Sequence, residues 1–236
     1  MGWLLALDGA TDQLALALVA PSGEMLTRDL SGGAQASARL LPAVEELLRE
    51  AGIAGASLQL IGFGRGPGAF TGLRAICAAV QGLAYGWSLP VLPVDSLLIV
   101  AEDAASRQLH PSSHWGVAMD ARMGELYAAR YRRSASGWET LEVPGLWQPE
   151  SLRAHWQSSA ELCPEDVAGS GLAMLGLHGV PGHDQVRSRS TALGRLCRHA
   201  VAAGATGVDA AQAMPLYVRD KVAQTTAERA LRAVQA

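Results

Sequence analysis

Two stretches of this chain repeat one another. Trp3-Leu4-Leu5-Ala6-Leu7-Asp8 recurs as Trp115-Gly116-Val117-Ala118-Met119-Asp120, with tryptophan, alanine and aspartate at the same spacing, and beyond each aspartate Leu14 and Ala17 match Leu126 and Ala129 at the same offset. An apolar run that ends in aspartate and returns as a second apolar run reads as a buried strand entering a hairpin. A chain that does this twice is expected to form two lobes, each opening on an Asp-tipped hairpin. The change of lobe falls between Ala104 and Ser113, where serine, histidine and proline interrupt the pattern, giving an N-terminal lobe at 1–106 and a C-terminal lobe at 107–236.

Within the first lobe the rhythm changes once. Residues 3–8 and 13–20 read as strands, the second alternating Leu14, Leu16 and Leu18 with Ala15, Ala17 and Val19. Pro21-Ser22-Gly23-Glu24 turns the chain into a third strand near 25–30. A helix then fits 36–51, a strand 58–64, a helix 71–87, a short strand 91–94 and a further helix from Ser96, the expected N-cap. A three-strand meander followed by alternating helix and strand is a ribonuclease-H-like order. Doubled, it predicts an α/β protein with the two-lobed fold of actin-like ATPases, made of two βββαβα lobes.

Facing Asp-tipped hairpins let such proteins hold a metal nucleotide, because backbone N–H groups cradle phosphates while the aspartates act through metal and water. Asp8-Gly9-Ala10-Thr11 keeps that character. Asp120-Ala121-Arg122-Met123-Gly124 has side chains where close approach to phosphate favours glycine, and Arg122 is placed to pair across the cleft instead. Asp8, Thr11, Asp120 and Arg122 are therefore candidates for a vestigial nucleotide cleft, with a plain carboxylate-capped turn as the competing reading.

Residue supply excludes other chemistries. Lys221 is the only lysine among 19 basic residues and follows Asp220, so there is no Walker-A Gly-Lys pair and no early-strand kinase lysine. The three cysteines, Cys77, Cys163 and Cys197, are too few and too scattered for a CxxC metal site or a disulfide framework, which suits a reduced cytoplasmic setting. His110-Pro111-Ser112-Ser113-His114 has ligand-like spacing but a loop composition, and neither an HExxH motif nor a GxSxG elbow occurs. No stretch reaches the roughly 18 apolar residues of a membrane span, and the apolar start lacks a basic leader and is cut by Asp8. A net charge of −3 argues against a chain that grips nucleic acid alone.

The segment Gly66-Pro67-Gly68-Ala69-Phe70-Thr71-Gly72-Leu73-Arg74 joins a strand to the helix at 71–87. Such a loop can offer N–H groups to an anion, a weak signal by spacing alone. The helix itself carries a large stripe, Leu73, Ile76, Val80, Leu83 and Trp87, and beside it a small one, Gly72, Ala75, Ala79, Gly82 and Gly86. Its charge-poor third side, with Ala78, Gln81 and Tyr85, predicts burial on more than one face, under the first helix or against another chain.

Leu5-Ala6-Leu7-Asp8 with Thr11, Leu41-Pro42, the stretch Gly64–Arg74, Asp120–Tyr127 and Pro215-Leu216-Tyr217-Val218-Arg219 together resemble the bacterial TsaB (YeaZ) family in order and spacing, most loosely over 132–212. The resemblance implies the two-lobed actin-like fold and a non-catalytic scaffold in making threonylcarbamoyladenosine on tRNAs that read codons beginning with A. It implies a heterodimer with a catalytic, metal- and nucleotide-binding TsaD-like subunit, a TsaE-like ATPase that engages the pair, and tRNA held mainly through the partner; the hydrophobic helix faces would also suit self-association as a homodimer when the partner is absent. The catalytic relative's HxxxH metal motif would fall near 36–51, where this chain has no histidine and Ala36 stands in the place of one common in the family, so no metal and no cofactor are expected. The family's pairing surface lies on the first two helices. Gly66, Pro67, Gly68, Phe70, Thr71, Gly72, Arg74, Ala75, Ala79, Gly82 and Gly86 thereby become interface candidates. An active actin-like ATPase or small-molecule kinase stays open as the alternative, to be recognised by nucleotide bound between Asp8 and Asp120; a peptidase has neither a metal motif nor a nucleophile elbow to build on.

Overall fold

The computed structural model describes residues 2–31, 36–108 and 112–219. Lys221 and the His110-Pro111 half of the interlobe connection lie outside the described residues, as does the side chain of Ala36.

The first lobe runs β1 (Trp3–Asp8), β2 (Gln13–Val19), β3 (Met25–Ser31), α1 (Ala36–Glu50), β4 (Leu58–Gly64), α2 (Phe70–Trp87), β5 (Val91–Val94) and α3 (Ser96–Ala105). The second runs β6 (His114–Asp120), β7 (Leu126–Ser134), β8 (Gly137–Trp147), α4 (Pro149–Gln157), β9 (Asp166–Ala168), α5 (Leu172–Leu175), β10 (Gly182–His183) and α6 (Arg189–Ala202). The sheets are ordered β3-β2-β1-β4-β5 and β8-β7-β6-β9-β10, the same arrangement twice, with an antiparallel meander and parallel strands added beside β1 and β6. The duplicated two-lobed α/β fold expected from the repeat is the observed one.

Side-chain size sorts the layers. Leu5, Leu7, Leu14, Leu16 and Leu18 point to one face of the first sheet and bury against α1 and α2, whereas Leu4, Ala6, Ala17 and Val19 point to the other. That second face takes α6, through Ala192, Leu193, Leu196 and Cys197. Small residues let the helix come close: a Cβ at Gly194 would sit 3.2 Å from that of Ala17. In the second sheet Trp115, Val117, Ala129 and Tyr131 face Leu97, Val100 and Ala101 of α3, while Ala118, Leu126 and Ala128 face Leu152 and Trp156 of α4. Each fully buried large side chain contributes about 1.5–3 kcal/mol. The layers therefore run α1/α2, first sheet, α6 with α3, second sheet, α4/α5, and each middle helix covers a sheet of the lobe to which it does not belong.

Two expectations need correction. Asp8 pairs with Ala15 but Asp120 pairs with Leu126, so the first hairpin is one residue longer, and the matches of Leu14 with Leu126 and Ala17 with Ala129 are not equivalent ladder positions. The Trp-to-Asp spacing is the part of the repeat that reflects structure. Ser96 is not the N-cap of α3: Asp95 holds that position without a side-chain cap bond, because its carboxylate accepts from Arg65 Nε at 2.7 Å and the Ser96 hydroxyl is engaged elsewhere. Among the described residues no helix is long and apolar enough to cross a membrane.

Candidate functional site

The two hairpins face each other across a cavity of about 710 Å³, within the range of small-molecule clefts. Its walls come from both lobes, with Thr11 and Phe70 on one side and Asp120, Arg122 and Tyr127 on the other. Of the four cleft candidates, Thr11, Asp120 and Arg122 line it; Asp8 lies behind the wall, 0 % exposed.

Burial of a carboxylate demands compensation. Asp8 Oδ2 accepts from Arg189 Nε at 3.0 Å and Nη2 at 2.7 Å, and Oδ1 accepts from the Ser96 hydroxyl at 2.7 Å. Arg189 is the first residue of α6 and is itself buried; Ser96, also buried, accepts the Gly66 N–H at 3.0 Å. Gly64 is required beside this group, since a Cβ there would overlap Asp8 Oδ1. Both oxygens of the carboxylate are thus committed inside the chain, to a cation already present.

The second hairpin is shaped against phosphate. Arg122 and Met123 have φ of 66° and 59°, the left-handed region that costs ordinary residues about 1–2 kcal/mol each. The Arg122 N–H donates to Asp120 Oδ1 at 2.7 Å, which closes the turn. The Arg122 guanidinium reaches across the cleft to Asp12 Oδ2 at 3.7 Å and back to Asp120 Oδ2 at 3.6 Å, exposed contacts of little energetic weight. A metal nucleotide, which this fold class implies, does not fit: Asp8 is taken, the turn is filled by side chains, and among the described residues no three histidine, cysteine or acidic groups come together as ligands.

The interface candidates separate into two groups. Gly66 (φ 106°) and Pro67 are buried, and Gly68 and Gly72 lie on the first hairpin, where a Cβ would run into the carbonyl oxygens of Ala10 and Gly9. These four pack within the chain, where the loop seats tightly against the hairpin. Thr71, Arg74, Gly82 and Gly86 are exposed, and Phe70, Ala75 and Ala79 half-buried. Nothing lies within 4 Å of a Cβ placed on Gly82 or Gly86, and Tyr85 beside them is 85 % exposed. On the charge-poor third side only Gln81 is covered within the chain, where its Nε2 and the neighbouring Cys77 Sγ both donate to the Ala213 carbonyl at 3.0 Å, while Ala78 and Tyr85 are exposed.

Sequence reasoning missed Arg189 and Ser96. The local sequence offers only a run of arginines, at 187, 189, 195 and 198, that singles out none of them.

Fold and cleft together define an actin-like two-lobed protein whose first-hairpin aspartate is neutralised by an internal arginine. Comparison with known proteins places it further. Residues 33–153 match the family model of TsaD, tRNA N6-adenosine threonylcarbamoyltransferase. The tRNA threonylcarbamoyladenosine biosynthesis proteins TsaB of Haemophilus influenzae and Escherichia coli are similar, at 36% identity over 130 residues (55% of this chain, 54% of the relative) and 33% over 160 residues (65% and 66%). The chain thus spans between about half and two thirds of the length of these curated relatives. YeaZ from Pseudomonas aeruginosa superimposes with a TM-score of 0.78 at 35% identity, covering 92% of this chain and 100% of that one. The chain belongs to the TsaB/YeaZ family.

Proposed function

We propose that this protein is a non-catalytic scaffold subunit in threonylcarbamoyladenosine modification of tRNA, pairing in the cytoplasm with a TsaD-like catalytic subunit and engaged there by a TsaE-like ATPase. The names of the TsaB relatives supply the pathway. The observation that carries the scaffold role is the buried Asp8–Arg189 pair. An aspartate that must bind metal or orient water has to reach the cleft, and Asp8 is fully buried with both oxygens already accepting, from Arg189 and Ser96. Transfer chemistry and most of the tRNA contact then fall to the partner, in keeping with the net charge of −3.

The exposed side of α2, with Gly82, Gly86 and Tyr85, is the pairing face in this reading, continued by Leu41 on α1, 47 % exposed. Close helix approach needs small residues, and open glycines on an exposed helix face otherwise only weaken it. Without the partner the same face joins two copies of the chain, which light scattering of the isolated protein would register as a dimer.

Calorimetric titration with magnesium-ATP and with the protein's own TsaD-like partner tests the reading. Binding to the partner with little or no nucleotide binding is expected. Tight ATP binding by the isolated chain overturns it in favour of an active ATPase or small-molecule kinase using the cavity between the hairpins. Gly82→Trp is expected to keep the fold and abolish pairing; normal affinity in that variant removes α2 from the interface.

A further inference from the structure

The segment Pro215–Arg219 takes no part in the proposed pairing and has no helix or strand of its own. It is anchored at Ala213, fully buried, and then crosses from the first lobe to the second. On the first lobe the Leu216 N–H donates to Arg65 O at 2.7 Å. Tyr217 packs on Phe70 with ring centroids 4.8 Å apart, and its hydroxyl accepts from Arg74 Nε at 3.3 Å. On the second lobe Arg219 Nη2 reaches Glu125 Oε2 at 2.7 Å and Ala121 O at 3.0 Å. Residues 216–219 thereby form one wall of the interlobe cavity.

We propose that Pro215–Arg219 is a strap that closes the interlobe cavity and detaches as a unit, with Arg219 as its latch, while both lobes stay folded. Two features make its opening local. Among the described residues the strap has one backbone hydrogen bond to the rest of the chain, that of Leu216, and Pro215 has no N–H to add. The latch is a side-chain contact alone: Arg219 Nη2 makes the ion pair, and among the described residues Arg219 Nε is buried without a partner. Segments with few backbone bonds and contacts made mainly by side chains open at the low end of a protein's range of local stabilities. Met214, 60 % exposed just past the anchored Ala213, is where the strap hinges.

Amide hydrogen exchange on the full chain tests this. Arg219→Met keeps the aliphatic stem and removes the latch; Glu125→Gln removes the opposing charge from the other side. In both, exchange at Leu216 is expected to rise at least about tenfold, the effect of losing one charge-assisted hydrogen bond, while amides of β1 and β6 keep their wild-type rates. Unchanged exchange at Leu216 in both variants overturns the proposal. So does acceleration of β1 and β6 by the same factor as Leu216, which would make Arg219 a support of the whole fold. Should Arg219→Met fail to fold, Glu125→Gln decides by the same two readings.

Discussion

Replacing Arg189 with methionine keeps the apolar stem of its side chain and takes away the charged guanidinium. Asp8, 0 % exposed, is then left with the Ser96 hydroxyl as its remaining short contact. Removing one partner of a buried ion pair costs about 3–5 kcal/mol, because the survivor stays desolvated and uncompensated. For a chain of this length each kcal/mol lowers Tm by about 2–4 °C, so a fall of about 6–20 °C is expected. Asp8→Asn should be destabilising in the same way, since it strands the guanidinium, itself 3 % exposed. In the double variant neither charge remains. It should lie closer to the wild type than the sum of the single changes, with a coupling energy of about 1–3 kcal/mol. Urea unfolding followed by circular dichroism, on all four proteins at one concentration, measures the cycle. Single costs below about 1 kcal/mol, or costs that simply add, would refute the claim that the pair closes the site.

Two further outcomes follow from packing and acidity. Gly72→Ala should cost at least about 1–3 kcal/mol as a close-packed overlap with the Gly9 carbonyl, whereas Gly82→Ala, with open space around it, should stabilise the isolated chain by about 1 kcal/mol through helix propensity; thermal melts of the two variants compare them directly. Burial pushes the Cys197 thiol up to about 12 and raises that of Cys77, so at pH 8 both should resist alkylation in the folded protein, with Cys163 modified first. Mass spectrometry of peptides after brief iodoacetamide treatment reads the order, and early labelling of Cys197 would contradict its placement on the face of α6 that packs against the first sheet.

Much of this architecture was legible in local sequence. The apolar runs ending at Asp8 and Asp120 announced two hairpins, and the leucine-alanine alternation of residues 13–20 became a strand whose two faces meet different helices. The strands at 58–64 and 91–94 stand where the pattern put them. What stayed hidden depends on contacts between residues far apart in the chain. Asp8 and Arg189 are separated by 181 positions, and nothing around Arg189 distinguishes it from the arginines at 187, 195 and 198. Ser96 looked like a cap because serine before a helix usually is one; its hydroxyl had a buried carboxylate to satisfy. Pro215–Arg219 could be seen as a motif, but its crossing between lobes could not, because no periodicity marks a strand-free segment. The equal offsets of Leu14 and Leu126 misled for a related reason: a one-residue difference in hairpin length leaves composition unchanged and shifts the ladder.

The exchange of helices between the lobes bears on how such a chain can be divided. If residues 1–106 were made alone, the face of the first sheet carrying Leu4, Ala6, Ala17 and Val19 would lose Ala192, Leu193 and Leu196 as its cover. If residues 107–236 were made alone, Trp115 and Val117 would lose the α3 residues Leu97 and Val100. Each half would present to water an apolar surface that only its sister can cover. The duplication that is so plain in the strand order has thus produced a single interdependent folding unit, and its halves can no longer be separated along the line by which they were doubled.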